Sequence, residues 1–315
     1  MPSQLVLRKR ISSTQSLQKI FKAQELISAS RISKARFYAQ NAMPYADAIT
    51  KAVRAVANHA KVEHILTNNN RKALATAVLV IASDRGMSGS YTSSIIKQAN
   101  IQIAKLKQQS KKIQLYICGQ RAVSYYKFRN ITIDQFWTGH SDAPTAERSQ
   151  EVSDALVQKF LATSKNSGVD EVIIVCSEFI NMVIQRPRVI RMLPLMVVDN
   201  GSDPDELGES LAKVAKITTT ASTNTESVPL YEFEPSAEAV LDAILPRYVQ
   251  SRIQECLLES AVCETASRQR SMHTANDNAN DLLEDLIRRA NQARQAAITN
   301  ELSEIVAGAA ALQNG

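Results

Sequence analysis

The two ends of this chain are long segments that contain almost no helix-breaking residues. From Leu5 to Val62 there is no Gly and a single Pro, Pro44. From Pro235 to Leu312 only Pro246 and Gly308 interrupt the pattern. At a rise of 1.5 Å per residue these segments predict helices of about 80 Å and about 110 Å. We expect Pro44 to kink or break the first helix, because its ring removes one ladder hydrogen bond.

Each end segment repeats small and apolar residues at steps of three and four, which is the spacing of a coiled coil. In the first segment the stripe that we identify consists of Leu17, Ile20, Ala23, Ile27, Ser30, Lys34 and Phe37. In the second it consists of Ala275, Ala279, Leu282, Leu286, Ala293 and Ala297. Because small side chains allow two helices to approach closely, the stripes predict that the two segments pack on each other.

The charges of the two ends are opposite. Residues 1–61 carry eleven Lys or Arg against two acidic residues, and residues 236–315 carry seven Arg against eleven acidic residues. The whole chain has a formal charge of +6. Two complementary helices from opposite ends of one chain are most simply arranged as an antiparallel coiled coil.

The middle of the chain has the pattern of an open α/β sheet. Four buried-strand runs are "ALATAVLVIASD", "KKIQLYICG", "VDEVIIVCSEF" and "LPLMVVD", and helical stretches at 91–108 and 149–164 separate the first three. Strands that alternate with helices predict a Rossmann-like domain. Residues 200–229 are rich in Ser, Thr, Asp and Glu and predict a loop.

These patterns divide the chain into four parts. They are a coiled-coil helix at 1–62, an α/β domain at 73–200, a variable polar loop with the last strand at 201–234, and a second coiled-coil helix at 235–315. The fold class is therefore α/β, with a long antiparallel coiled coil formed by the terminal helices.

No motif of an enzyme or a metal site stands out. The turn "SDRGMSGSYTSS" after the first strand has neither the Lys of a phosphate loop nor a full GxGxxG. The four His lack the spacing of a zinc helix, and the four Cys lack CxxC pairs and are expected to be buried free thiols. The apolar runs are too short for a membrane span, and no signal peptide is visible.

Two other classes of function stay open on these patterns alone. The turn at 84–89 could hold a ligand in a nucleotide-binding α/β enzyme. The basic first helix could bind nucleic acid by neutralising phosphates.

Three stretches resemble the γ subunit of F-type ATP synthases. They are "RKRISSTQSLQKIFKAQELISASRISKAR" at the start, "TANDNANDLLEDLIRRANQARQAAITNELSEIVAGAAAL" at the end, and "SDRGMSGSY" after the first strand. The resemblance covers nearly the whole chain apart from residues 200–229, and its C-terminal part is highly specific.

The resemblance implies a rotating central shaft rather than a catalyst. It implies no catalytic residue, no cofactor and no bound metal. The residues that it places against the catalytic β subunits are Lys22, Gln24, Arg268, Arg294, Gln295 and Thr299. The apolar end of the last helix would turn as a bearing in a sleeve of apolar loops, with Ile305, Val306, Ala309, Ala310 and Leu312 at its surface.

The same resemblance implies the partners and the location. The partners are the α and β subunits of the catalytic hexamer, the ε subunit and the ring of c subunits, with no nucleic acid. The protein is expected at the cytoplasmic face of a bacterial plasma membrane, as a peripheral protein that is not inserted. Its role is to transmit torque from proton flow and to impose asymmetry on the three catalytic sites.

Overall fold

The computed structural model describes residues 4–60, 74–162, 168–194, 234 and 236–313. The helices are α1 (Gln4–Ala60), α2 (Tyr91–Gln108), α3 (Gln120–Phe128), α4 (Ala146–Leu161) and α5 (Ala237–Gln313). The strands are β1 (Ala75–Ile81), β2 (Lys112–Cys118), β3 (Gln135–Trp137), β4 (Glu171–Phe179) and β5 (Gln185–Leu193).

The five strands form one sheet in the order β3-β2-β1-β4-β5. The first four are parallel, and β5 returns antiparallel beside β4 through a short hairpin. Because β1 lies in the centre and the chain continues first to one side and then to the other, the sheet has a switch point at the carboxyl ends of β1 and β4.

Alternate side chains of the central strand β1 enter two separate cores. Val78 and Val80 pack with residues of α2 and α3 on one face of the sheet. Ala77 and Leu79 pack on the other face with residues of α4, α1 and α5. This period-two burial on both faces explains why the sequence of a central strand is continuously apolar.

The sequence identified the central strands, α2 and α4, and it missed the elements at the edges. The helix predicted at 149–164 corresponds to α4, which begins three residues earlier. The predicted helix at 91–108 has the bounds of α2, and three of the four predicted strand runs contain β1, β2 and β4. The short α3 and β3 were not predicted. The fourth predicted run begins at the end of β5, and the rest of that run lies outside the described residues.

Both terminal helices are continuous in the structure. Helix α1 passes through Pro44 without ending, so the predicted break at this residue is wrong, and α5 contains Pro246. Ser236 caps the start of α5, because its hydroxyl accepts a hydrogen bond from the Ala239 N–H at 3.2 Å.

The chain divides into two compact units, and each long helix contributes to both. One unit consists of Met1–Ala29 with Arg268–Gly315, and the other consists of Ser30–Ser267, which contains the sheet. The domain boundaries predicted at 62, 73, 200 and 235 fall on or beside residues that the structure does not describe, so they stay predictions.

Candidate functional site

All the residues that the sequence assigned to function belong to the unit formed by Met1–Ala29 and Arg268–Gly315, here called the helical unit. Its two helical segments are joined by hydrogen bonds between distant parts of the chain. Gln18 Nε2 donates to Asn280 Oδ1 at 2.6 Å, and Glu25 Oε1 lies 3.0 Å from His273 Nδ1. From the first pair to the second, α1 advances seven residues and α5 goes back seven, which is the register of an antiparallel coiled coil.

The contact seam differs from the stripes read in the sequence. Buried and half-buried positions at steps of three and four residues mark the seam. Along α1 they are Leu7, Ile11, Thr14, Gln18, Phe21, Glu25 and Ser28, and along α5 they are Met272, Asn276, Ala279, Leu283, Leu286, Ala290 and Ala293. The predicted stripe of α1 is therefore wrong, since its members face outward. The seam of α1 contains polar residues, so a search for apolar spacing finds a neighbouring face instead. On α5 the prediction is right for Ala279, Leu286 and Ala293, and Ala275 is half-buried as well. It is wrong for Leu282 and Ala297, which are exposed.

The outward faces of the helical unit carry many large apolar side chains. On α1 they include Leu17, Ile20, Leu26 and Ile27, and on α5 they include Leu282, Ile287, Ile298 and Leu302. Each of these side chains is at least 45% exposed. Isolated soluble helices seldom expose apolar groups along their whole length, so this surface is suited to contact with other protein chains.

A buried carboxylate lies at the centre of the polar part of the seam. Glu25 accepts a hydrogen bond from Lys22 Nζ at 3.2 Å, and His273 lies between Glu25 and Asp277, whose Oδ2 is 3.6 Å from His273 Nε2. Burial raises the pKa of Glu25, but the hydrogen bonds from Lys22 and His273 outweigh it and leave the pKa below its ordinary value. Glu25 is therefore held as a charged group that ties α1 to α5.

The structure places only one of the first three predicted contact residues in this network. Lys22 is exposed and pairs with Glu25, whereas Gln24 is half-buried. Arg268 is buried, with 6% of its surface exposed, and lies five residues before His273 on α5. The contact of these three residues with a β subunit stays a prediction.

The other predicted contact residues lie further along α5 and are exposed. Arg294, Gln295 and Thr299 occupy neighbouring turns, and the Thr299 hydroxyl donates to the Gln295 carbonyl at 2.9 Å. On α5, Arg268 of the first group and Arg294 of the second are about 39 Å apart along the helix at 1.5 Å per residue. The predicted contacts therefore form two separate groups on the helical unit.

The predicted bearing tip is the last part of α5. Ile305 and Val306 are each 67% exposed. Ala309, Ala310 and Leu312 belong to the same helix, and their side chains lie outside the description. The bearing role of the tip stays a prediction.

The sequence offered the turn after β1 as an alternative ligand site, and the carboxylate at the start of this turn is occupied by hydrogen bonds within the chain. The other end of the turn, residues 86–89, lines an open groove between α2 and α3. The Asp84 carboxylate accepts from the backbone N–H groups of Gln120 and Ser141, both at 2.9 Å. Gly119 has φ 112°, and a Cβ at this position would lie 2.3 Å from the Ala82 carbonyl oxygen. The cavity beside Asp84 has a volume of about 20 Å³, which is room for about one water molecule and far less than a nucleotide needs.

The described residues give no support to a reactive thiol, a metal site or a membrane-spanning helix. The four cysteines are buried and free, as expected. Burial raises the pKa of the Cys118 and Cys263 thiols to about 12. Within the described ranges no three His, Cys, Asp or Glu side chains come together as metal ligands. None of the helices described combines the length and hydropathy that a bilayer-spanning segment requires.

Sequence reasoning missed the Glu25–His273 pair. In the sequence, Glu25 is one of only two acidic residues in the basic first segment. His273 is one of four histidines that lack the spacing of zinc ligands on a helix. The signal that could have found the pair is the antiparallel register, because it places the two residues opposite each other once the crossing of Gln18 and Asn280 is known.

Comparisons with known proteins agree with this architecture. A family profile described as ATP synthase matches residues 3–312. The ATP synthase gamma chain of Bifidobacterium longum subsp. infantis is 48% identical in an alignment of 315 positions. The alignment covers 99% of this chain and 98% of the relative. That of Beutenbergia cavernae is 45% identical over 310 residues, with 98% of each chain covered.

Solved structures share the fold at low sequence identity. A chain of the Euglena gracilis mitochondrial ATP synthase (OSCP/F1/c-ring, rotational state 3) has a TM-score of 0.61 at 14% identity, covering 99% of this chain and 95% of that one. A chain of the Tetrahymena thermophila mitochondrial ATP synthase (central stalk/c-ring) has a TM-score of 0.54 at 16% identity, covering 81% of this chain and 99% of that one. The family profile and the relatives that match along the full length show that the chain belongs to the ATP synthase gamma chain family.

Proposed function

We propose that this chain is the non-catalytic central shaft of a rotary, proton-translocating ATP synthase. The observation that carries the proposal is the helical unit, in which an antiparallel helix pair has a closed seam and apolar side chains on its outward faces. Such a surface fits a rod that is surrounded by other subunits. The chains that share the fold belong to a mitochondrial central stalk with its c-ring and to an F1 complex with its c-ring, and this supports the same assignment.

The mechanism follows from the difference between the two helices. A pair of unlike helices has no threefold symmetry, so inside a threefold ring it contacts three otherwise equal catalytic sites differently. Each angle of the shaft therefore favours a different state at each site, and rotation changes which site holds which state. The chain performs no bond chemistry itself.

Two groups of residues carry this coupling in the proposal. Arg294, Gln295 and Thr299 contact a loop of a β subunit, and their exposure on α5 leaves them available for it. Lys22, Gln24 and Arg268 contact the acidic lever segment of β. The tip, with Ile305 and Val306 exposed, turns in an apolar sleeve, because apolar contacts have no directional hydrogen bonds that would fix one angle.

The remaining partners belong to the other end of the shaft. The lower coiled coil and the α/β domain rest on the ring of c subunits and on the ε subunit, and they transmit torque from proton flow. This arrangement makes the protein a peripheral component at the cytoplasmic face of a bacterial plasma membrane.

The experiment that tests the proposal is purification of the tagged chain from detergent-solubilised membranes, with every co-purifying subunit identified by mass. We expect α, β, ε and c subunits in one complex that hydrolyses ATP. Recovery of the chain without α and β subunits would contradict the proposal.

A nucleotide titration tests the competing enzyme class. The Asp84 carboxylate is occupied by backbone N–H groups and the cavity beside it is small, so we expect no saturable binding of ATP by the isolated chain. Saturable binding that is lost on substitution of Asp84 would favour a nucleotide-binding enzyme instead.

A further inference from the structure

The outer surface of α2 and α3 has a charge that the shaft function does not explain. From Arg85 to Ile133 the sequence has nine Lys or Arg and no Asp or Glu. Eight of the nine basic residues are exposed, and the ninth, Lys111, is half-buried and pairs with Glu171 at 2.8 Å. This part of the chain is therefore strongly basic in a protein whose overall charge is only +6.

Helices α2 and α3 lie on the same face of the sheet and form a groove between them, here called the basic groove. The groove has a volume of about 950 Å³, and its walls include Met87, Lys97, Ile101, Arg121, Tyr125 and Phe128. Lys97, Ile101 and Lys105 follow one another at four-residue steps, so they share one side of α2. Basic and apolar side chains therefore alternate along one wall.

The apolar residues of the basic groove are unusually exposed. Phe128 at the end of α3 is 88% exposed, Met87 is 55% exposed and Ile101 is 40% exposed. Phe128 is flanked in sequence by Lys127 and Arg129. Lys127 Nζ lies 4.6 Å from the centre of the Phe136 ring, and the Arg129 guanidinium carbon lies 4.7 Å from that of Tyr125.

Two of the nine basic side chains pair with acidic residues outside this segment, Lys111 with Glu171 and Arg85 with Asp142 at 3.9 Å. Among the described residues no ion pair uses Lys97, Lys105, Lys107 or Lys112. Their positive charge is thus available to an anionic partner.

We propose that the basic groove and the ends of α2 and α3 bind an anionic lipid surface, with the lysines on the headgroups and Phe128 at the boundary of the acyl chains. An exposed aromatic group between basic residues is the composition of interfacial membrane-binding segments. Juxtaposed Lys and Arg are attracted to the negative potential of anionic lipids within about one Debye length. The α/β domain thereby contacts the lipid directly, in addition to any contact with protein subunits.

The residue types favour lipid over the other anionic partners. Five of the eight exposed basic residues are Lys, which is depleted in the cores of protein interfaces and acts as a point charge without a fixed geometry. A basic surface with no acidic residue suits a fluid layer of like-charged headgroups.

The test uses the full-length chain and lipid vesicles in a flotation assay. Vesicles contain either phosphatidylcholine alone or phosphatidylcholine with about 30% phosphatidylglycerol. We expect at least tenfold stronger partitioning to the anionic vesicles, weakened as the salt concentration rises. Each basic side chain near the surface contributes about fivefold to partitioning. The substitutions Lys97→Gln, Lys105→Gln and Lys127→Gln together are therefore expected to reduce partitioning by roughly a hundredfold.

A matched control separates this surface from the basic α1 helix. The substitutions Lys9→Gln, Lys19→Gln and Lys34→Gln remove the same charge from exposed positions of α1, and we expect partitioning to change less than about threefold. A second variant, Phe128→Trp, reports contact through a blue shift of its fluorescence on anionic vesicles, against the constant signal of the buried Trp137.

These measurements follow lipid binding alone and do not depend on assembly of the complex or on its turnover. The lipid-binding proposal can therefore fail while the proposed shaft function holds. Equal loss of partitioning in the two triple variants would overturn it, as would an unshifted fluorescence spectrum of the Phe128→Trp variant on vesicles that bind the chain. Binding of an oligonucleotide or an acidic peptide to the groove, with no preference for anionic vesicles, would assign the surface to that partner instead and also overturn it.

Discussion

Glu25 Oε1 lies 3.0 Å from His273 Nδ1, and these residues come from opposite ends of the chain. The pair lies in the seam between α1 and α5, and Lys22 Nζ forms an ion pair with the same carboxylate at 3.2 Å. A buried charge inside a coiled-coil seam fixes its register, because any slip of one helix leaves the charge without partners. We infer that this pair helps to hold the two helices as one rod.

The charge on Glu25 predicts a pH-dependent contribution to stability. Its pKa is lower in the folded chain than the ordinary value of 4.5, since the hydrogen bonds from Lys22 and His273 outweigh the effect of burial. Its stabilisation is therefore present above pH 4.5 and is lost as the pH falls through the folded-state pKa. We expect Glu25→Gln to lower the free energy of unfolding by up to about 1 kcal/mol at pH 7.

Thermal unfolding followed by far-ultraviolet circular dichroism measures this difference. The gap in melting temperature between the wild type and Glu25→Gln should narrow in acid, and the control Glu301→Gln, at an exposed position of α5, should show no gap at either pH. A gap that is equally large at pH 3 and pH 7 would show that Glu25 acts through packing rather than charge.

The geometry of the turn between β2 and α3 predicts that adding one methyl group at Gly119 strongly lowers the stability of the α/β domain. At Gly119 the backbone has φ 112°, and a Cβ would lie 2.3 Å from the Ala82 carbonyl oxygen, so we expect Gly119→Ala to destabilise the α/β domain by about 3 kcal/mol or more. At Gly86 the nearest atoms to a Cβ belong to the Arg121 side chain at 3.9 Å. Gly86→Ala is therefore the control and should change the free energy of unfolding by less than about 1 kcal/mol in urea titrations. Equal effects of the two substitutions would contradict the described geometry.

The burial of the cysteines predicts that the native chain has no reactive thiol. All four are buried, and the raised pKa of Cys118 and Cys263, about 12 for each thiol, leaves almost no thiolate at pH 8. A thiol titration of the native chain should label none of them within an hour, whereas the chain in denaturant should show four. Replacing Cys256 and Cys263 by Ala should leave ATP synthesis within about twofold. A thiol that reacts within seconds in the native chain would be evidence against a purely structural role.

The sequence predicted those parts of the fold that depend on local patterns. Long stretches without Gly or Pro predicted the terminal helices, and continuous apolar runs predicted β1, β2 and β4. Strand β5 was missed because its sequence contains Pro187 and several Arg, which are tolerated only because the strand lies at the sheet edge. The short β3 has three residues and no periodicity to detect.

The parts of the site that could not be predicted depend on pairs of distant residues. The seam was misplaced because its polar members, such as Gln18 and Glu25, are satisfied by partners on the other helix that no local pattern reveals. The ion pair between Arg31 and Asp142 joins α1 to the loop before α4 in the same way. The contact residues Arg294, Gln295 and Thr299 came from family resemblance alone, since their exposure and spacing are ordinary for a helix.

The exposed contact group on α5 and the helix tip make different predictions for coupling. If Arg294 and Gln295 form polar contacts with β at one angle and lose them at the next, they contribute to the difference between rotor states. A hydrogen bond contributes about 0.5 to 1.5 kcal/mol, or about 1.5 to 3 kcal/mol when one partner is charged. Losing both contacts corresponds to a rate change of about tenfold or more.

The most direct test compares two variants in membranes that contain equal amounts of assembled complex. One carries Arg294→Ala with Gln295→Ala, and the other lacks the residues beyond Ala307. ATP synthesis and ATP hydrolysis are measured for both, with the assembled complex quantified in parallel. We predict at least a tenfold loss of synthesis in the double substitution and a smaller loss in the truncation, since an apolar bearing holds the shaft without selecting an angle. Loss of turnover in the truncated complex, together with a silent double substitution, would show that torque passes through the tip and would contradict the proposed mechanism.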